Sequence, residues 1–224
     1  MTKTLLITYF GPFPGVSVNP SGVTARQVAD VLADESAVRV VTREVPVSYV
    51  GSSEALGEIL TDIRPDAVLS LGVAVGRDKV SFEKVAINLD SADIEDNDGV
   101  VRVDEAIAPD GREAYFSTLP VRASYERLRG VGLPVEISYT AGTYVCNHVF
   151  YEVHRILELQ GRRIPAGFVH IPATRGDHEP SEAQTTLTAH ADAGGVESES
   201  VPTLPEAVVA RIVAELVRET LKVM

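Results

Sequence analysis

The chain has 224 residues, 45% of them hydrophobic, which is enough for one sizeable core and short for two, so a single domain over residues 1–224 is expected. Its 32 acidic and 20 basic side chains leave a formal charge of −12 that would repel a phosphate backbone, and no basic cluster offsets this locally; nucleic acid is not an expected partner. One cysteine cannot build a disulfide framework, no apolar span is long enough to cross a bilayer, and the run after Met1 lacks a signal peptide's apolar stretch, so the expected setting is the reducing cytoplasm, away from membranes.

Thr4 to Tyr9 is a short apolar strand that breaks into the loop Phe10-Gly11-Pro12-Phe13-Pro14-Gly15 before Asn19-Pro20-Ser21 opens a helix to about Ala33. Val38 to Val47 is β-branched and reads as a strand. Ser52 then caps a helix with Leu56, Ile59, Leu60 and Ile63 on one face, and Pro65 closes it ahead of Ala67 to Leu71, a continuous apolar run typical of buried parallel strands. Gly72 and Gly76 frame a loop ending at Arg77; Val80 to Leu89 alternates like one strand, and Asp90 to Arg112 is polar and loop-like. A helix from about Pro120 to Arg129, a strand Val135 to Tyr139, a helix through Val149, Phe150, Val153, Ile156 and Leu157, and a strand Gly167 to Ile171 follow. Residues 172–202 read as a long loop, and Glu206 to Val223 as a final amphipathic helix. Strands alternating with helices predict an α/β fold, a three-layer sandwich in which a mainly parallel twisted sheet is flanked by helices and ligands bind beyond the carboxyl ends of strands.

Cys146 lies where a strand gives way to a helical pattern. A helix N-terminus offers unpaired N–H groups and a positive dipole end, which lower a thiol pKa and bind an oxyanion, so Cys146 is a candidate nucleophile. His170 interrupts an apolar strand and Glu83 sits in a strand otherwise suited to burial, so Cys, His and Glu make a triad by residue type. Asp177, His178, His190 and Asp192 match no established metal-ligand spacing, and no metal is expected. His148 and His154 read as helix side chains, solvent-facing or packed. A redox-sensing role for Cys146 is disfavoured because the chain has no resolving cysteine.

Three ordered segments carry a family resemblance: Glu83-Lys84-Val85-Ala86-Ile87-Asn88, Ala141-Gly142-Thr143-Tyr144-Val145-Cys146-Asn147, and Gly167-Phe168-Val169-His170-Ile171-Pro172. They resemble the pyroglutamyl peptidase I (pyrrolidone-carboxylate peptidase) family, with its E-[KR]-x-A-x-N, A-G-x-[FY]-x-C-N and G-F-x-H-x-P motifs. Thr8 to Gly15, followed by Asn19-Pro20-Ser21, is similar to the family's T-G-F-E-P-F-G-G…N-P-S. The resemblance implies a phosphorylase/hydrolase-like sandwich and a cofactor-free cysteine peptidase that removes N-terminal pyroglutamyl groups from peptides, assembled as a homotetramer or homodimer. It implies Cys146 as nucleophile, His170 as general base and then acid, Glu83 as the group orienting the imidazole, and Phe10, Phe13, Asn19, Val73, Tyr144 and Val145 as substrate contacts.

The departures lie on the substrate side. The family's G-Q-A-G-G-R reads Gly72-Val73-Ala74-Val75-Gly76-Arg77, A-R-I-P-D-N reads Ala92-Asp93-Ile94-Glu95-Asp96-Asn97, and the segment after Pro172 is rebuilt. They leave two other readings open: a thiol amidohydrolase acting on another cyclic or capped amide, and a ligand-binding relative without turnover.

Overall fold

A computed structural model describes residues 2–14, 16–175 and 201–224. The strands of the main sheet are β1 (Lys3–Phe10), β2 (Val38–Val45), β3 (Ala67–Val73), β4 (Val80–Glu83), β9 (Val135–Ser138) and β10 (Ala166–Ile171), in the spatial order β2-β1-β3-β10-β4-β9. Every neighbouring pair is parallel except β10 and β4. Short strands form three small two-stranded sheets: β5 (Val85–Ile87) with β8 (Ala114–Phe116), β6 (Asp90–Ala92) with β7 (Arg102–Glu105), and β11 (Ala173–Arg175) with β12 (Thr203–Pro205). The helices are α1 (Pro20–Val31), α2 (Tyr49–Ile63), α3 (Val121–Gly130), α4 (Val145–Leu159) and α5 (Glu206–Lys222).

Side chains alternate across each strand, and the helices cover both faces accordingly. Leu5 and Ile7 of β1, Leu69 and Leu71 of β3, and Val169 and Ile171 of β10 pack with α1, α3 and α5. Leu6 and Phe10, Val68, and Ala166 and Phe168 face the other way and pack with α2 and α4. This is the expected three-layer α/β arrangement. The second face carries the polar positions of the same strands: Thr8, Ser70 and His170 are buried, and Thr8 donates its hydroxyl to Ser70 at 2.7 Å.

Three element boundaries differ from the sequence expectation, each for a long-range reason. Helix α2 starts at Tyr49, with Ser48 rather than Ser52 as its N-cap, because the Asp96 carboxylate accepts the Tyr49 N–H at 2.9 Å and supplies the cap from elsewhere in the chain. The expected strand 80–89 breaks at Lys84: its N–H donates to Ser138 O (2.8 Å) while its own carbonyl accepts the Ser117 N–H (3.0 Å), and the chain leaves the main sheet for the β5–β8 pair. The polar stretch 90–112 contains the β6–β7 hairpin rather than loop alone. Most of the expected 172–202 loop, including Asp177, His178, His190 and Asp192, lies outside the described residues.

Candidate active site

Parallel pairing of β3 and β10 puts Gly72 opposite His170, so the Cα–Cβ directions of both point toward α4. Cys146 is the second residue of α4, and a Cβ built on Gly72 would lie 3.1 Å from its Sγ and 2.8 Å from Phe168 Cζ. The sulfur therefore sits over Gly72, whose partner in the neighbouring strand is His170, and the Phe168 ring centroid lies 4.8 Å from that of His170. Glu83, at the end of β4, closes the group: its Oε1 is 2.8 Å from His170 Nδ1. Folding thus gathers Cys146, His170 and Glu83 on one face of the sheet. The thiol itself makes no hydrogen bond to the described residues.

Arg77 is the fourth member. Its Nη1 donates to the same Glu83 Oε1 at 2.7 Å, and its Nη2 donates to Thr140 O at 3.3 Å. Burial works to raise the Glu83 carboxyl, but the hydrogen bond and charge of His170, then the Ser138 hydroxyl and the Arg77 charge, outweigh it and hold the group below the ordinary carboxylate range. An ionised Glu83 is acceptor-only, so His170 carries its proton on Nδ1 and leaves Nε2 as the basic nitrogen. Burial lowers the His170 pKa, and the Glu83 carboxylate opposes that shift.

The thiol does not follow the sequence expectation. Burial pushes Cys146 up to about 12, the Glu83 charge adds to the rise and Arg77 opposes it. The side chain keeps some solvent access and stands in the first turn of α4, where the helix dipole favours the anion; these moderate the rise. With water largely excluded and a carboxylate nearby, Cys146 rests as a neutral thiol.

On the substrate side, Phe10 is buried and Phe13 half-buried, both packed in the cluster beneath α2 and α4. Phe13 also lines an open cavity of about 820 Å³ whose other walls include Pro12, Val16, Glu95, Asp96 and Asn97. Asn19 is committed to the backbone: its Nδ2 donates to Gly11 O (3.0 Å) and its Oδ1 caps Ser21 N (3.1 Å), so it shapes the Phe10–Phe13 loop. Tyr144 stacks edge-on against Tyr49 and donates its hydroxyl to Glu95 O at 2.9 Å. The Val145 side chain is fully buried in the core beneath α2 and α4. Val73 packs on the opposite side of the sheet, against the α1/α3/α5 core, while Gly72 occupies the face that carries Cys146.

Comparison with known proteins accords with this geometry. A family profile described as pyroglutamyl peptidase matches residues 3–215. The chain belongs to the pyroglutamyl peptidase family. A pyrrolidone-carboxylate peptidase from Bacillus cereus is 37% identical over 195 residues, covering 87% of this chain and 90% of the relative. One from Cupriavidus taiwanensis is 40% identical over 190 residues, covering 82% and 87%. The crystal structure of Bacillus amyloliquefaciens pyroglutamyl peptidase I superposes with a TM-score of 0.83 at 31% identity, covering 98% of this chain and 97% of that one. Pyrrolidone carboxyl peptidase from Thermococcus litoralis gives 0.83 at 32% identity, covering 99% and 94%.

Beyond the Cys, His and Glu segments, several further residues shape this pyroglutamyl peptidase-family site. Asn147, next to the thiol, accepts Ile87 N (3.0 Å) and donates to Ile87 O and Leu89 O (2.9 Å each), pinning the start of α4 to the β5–β6 connection. The C-N pair in the cysteine motif was the available signal. His148 is buried rather than solvent-facing: Nδ1 meets Asp90 Oδ2 and Nε2 meets Ser53 Oγ, both at 2.8 Å, and Arg102 donates to the same Asp90 oxygen at 2.7 Å. This buried relay ties α2 and the β6–β7 hairpin to the first turns of α4. His154 is also buried, stacked on Tyr115, and burial drops it to about 4. Asp93, which departs from the family's arginine, is exposed and takes no part in the cluster.

Proposed function

We propose that this protein is a thiol peptidase that removes N-terminal pyroglutamyl groups from peptides. The observation carrying the reading is the convergence of the Cys146 sulfur, over Gly72, with a His170 imidazole held by Glu83 at 2.8 Å. Cys146 is the nucleophile. Because it rests neutral, its proton passes to His170 Nε2 as the sulfur closes on the carbonyl between the lactam and the next residue. Glu83 keeps the imidazole in the tautomer that receives this proton and compensates the imidazolium.

The first-turn N–H groups of α4 have no side-chain cap, and the negative oxygen of the tetrahedral species lies within their reach. His170 then hands its proton to the departing amine, and water cleaves the thioester to release pyroglutamate. No step requires a metal or an organic cofactor. Phe10 and Phe13 give selectivity: a lactam has no charged amino terminus, and an apolar slot accepts it while an ammonium would be buried unpaired at a cost of several kcal/mol. The exposed valines 100, 101 and 103 of the β6–β7 region support assembly of the chain as a homodimer or homotetramer.

Incubation with pyroglutamyl-aminomethylcoumarin tests the reading. The wild type releases fluorophore, and Cys146→Ser and His170→Ala each lower kcat/KM by about a thousandfold or more. Wild-type protein with its thiol reduced and no release refutes the assignment; a panel of other lactam and capped amides then tests the amidohydrolase reading.

A further inference from the structure

Among the groups that the thiol mechanism leaves without a role, Arg77 is a charge felt by all three reacting or orienting side chains and is bonded directly to one of them. Glu83 is completely buried, and among the described residues both hydrogen bonds of good geometry to its carboxylate meet one oxygen: Oε1 accepts from His170 Nδ1 at 2.8 Å and from Arg77 Nη1 at 2.7 Å, while Oε2 has only the weaker influence of the nearby Ser138 hydroxyl. A carboxylate buried with no cation beside it, only a neutral imidazole and the Ser138 hydroxyl, would tend to take up a proton, and a protonated Glu83 could no longer hold Nδ1–H in place.

The guanidinium has a second connection. Nη2 donates to the Thr140 carbonyl at 3.3 Å, and Thr140 belongs to the tight turn between β9 and α4, where Ser138 Oγ also donates to Thr140 O (3.0 Å) and Gly142 N donates to Thr140 Oγ1 (3.1 Å). That turn delivers Cys146. The fork of one arginine therefore spans the carboxylate on β4 and the turn that carries the nucleophile, a geometry that a lysine's single ammonium cannot reproduce.

We infer that Arg77 is a positioning residue of the reaction, its guanidinium tying the carboxylate behind the imidazole to the turn that carries the thiol and fixing one positive charge beside both. The inference rests on the thiol-peptidase reading above. The charged groups facing His170 among the described residues are Glu83 and Arg77, and the same two face Cys146. A positive charge at that point lowers the proton affinity of all three groups at once. Its loss raises all three, so both limbs of the bell-shaped kcat/KM profile move to higher pH.

The test compares wild type, Arg77→Met and Arg77→Lys with pyroglutamyl-aminomethylcoumarin from pH 5 to 10. Because Arg77 keeps 27% of its side-chain surface in solvent, its field is partly screened, and both limbs of Arg77→Met are expected about 0.5–1 pH unit above wild type, with peak kcat/KM down about 10- to 100-fold. Arg77→Lys keeps the charge and loses the fork: its limbs stay at the wild-type pH and its peak falls about tenfold. A folded Arg77→Met with reduced activity and unmoved limbs overturns the inference, because a purely structural role predicts that result. If Arg77→Met does not fold, Arg77→Lys decides: wild-type kcat/KM in that variant overturns it. Failure of wild type to turn over the substrate at any pH strikes the functional reading instead.

Discussion

Gly72 offers the sharpest quantitative test of the site's geometry. A methyl group there would meet Phe168 Cζ at 2.8 Å and Cys146 Sγ at 3.1 Å. Comfortable carbon contacts begin near about 3.5 Å, so Gly72→Ala must open the first contact by about 0.7 Å and push the sulfur by about 0.4 Å. Both neighbours are held, since Phe168 lies in the core between Phe10 and Phe150 and Cys146 lies in the first turn of α4. Overpacking of this kind costs about 1–3 kcal/mol, or a fall in Tm of about 2–12 °C for a chain of this size. A 1 Å misplacement of a reacting group costs about a hundredfold, so roughly half that displacement predicts about a tenfold loss in kcat/KM. Gly57 in α2 is the control: a Cβ there meets nothing within 4 Å, and Gly57→Ala should leave activity unchanged and raise stability by up to about 1 kcal/mol. Thermal unfolding and pyroglutamyl-aminomethylcoumarin kinetics on both variants give the answer. A Gly72→Ala protein with wild-type Tm and kcat/KM would refute the placement of the sulfur over this glycine.

Two further outcomes follow from the same cluster. Because burial pushes the Cys146 thiol to about 12, iodoacetamide should inactivate the free protein at pH 7 at least about a hundredfold more slowly than it modifies a free cysteine, with the rate still climbing above pH 9; a rate that levels off near pH 6 would show a resting thiolate. Asn147→Ala removes three hydrogen bonds and strands half-buried backbone groups of Ile87 and Leu89, at a cost of about 2–4 kcal/mol. It should lower Tm by about 4–16 °C and reduce kcat/KM as the start of α4 loosens, whereas a Tm within 1 °C of wild type would mean these bonds are replaced by water at no cost.

Local chemistry was readable wherever one segment carries both the pattern and the reason for it. The apolar runs of β1, β3 and β10 and the Asn19-Pro20 opening of α1 needed nothing from elsewhere, and the Cys, His and Glu segments were recognisable by residue type, order and surroundings. What escaped depends on partners distant in sequence. The start of α2 is set by Asp96, the end of β4 by the opposing demands of Ser138 and Ser117 on Lys84, and the burial of His148 by Asp90. Val73 was expected beside the substrate because its loop is the family's, but strand alternation turns its side chain into the opposite core and gives the site-facing position to Gly72. The direction of the thiol's shift was missed for a related reason: a helix terminus is visible in a sequence, while the enclosure and the carboxylate that outweigh it exist only after folding.

The sheet's order has a consequence for when this protein becomes competent. The strands β2, β1 and β3 form one ribbon and β4 and β9 another, and among the described strands the two are joined in the sheet through β10. That strand is the last of the six to be synthesised, and it carries the imidazole. The histidine arrives with the keystone, so a chain still missing β10 lacks the imidazole proposed above as the proton acceptor, together with the seam between the two ribbons. The seam that unites the two halves of the sheet is thus the same segment that sets the imidazole against its carboxylate partner.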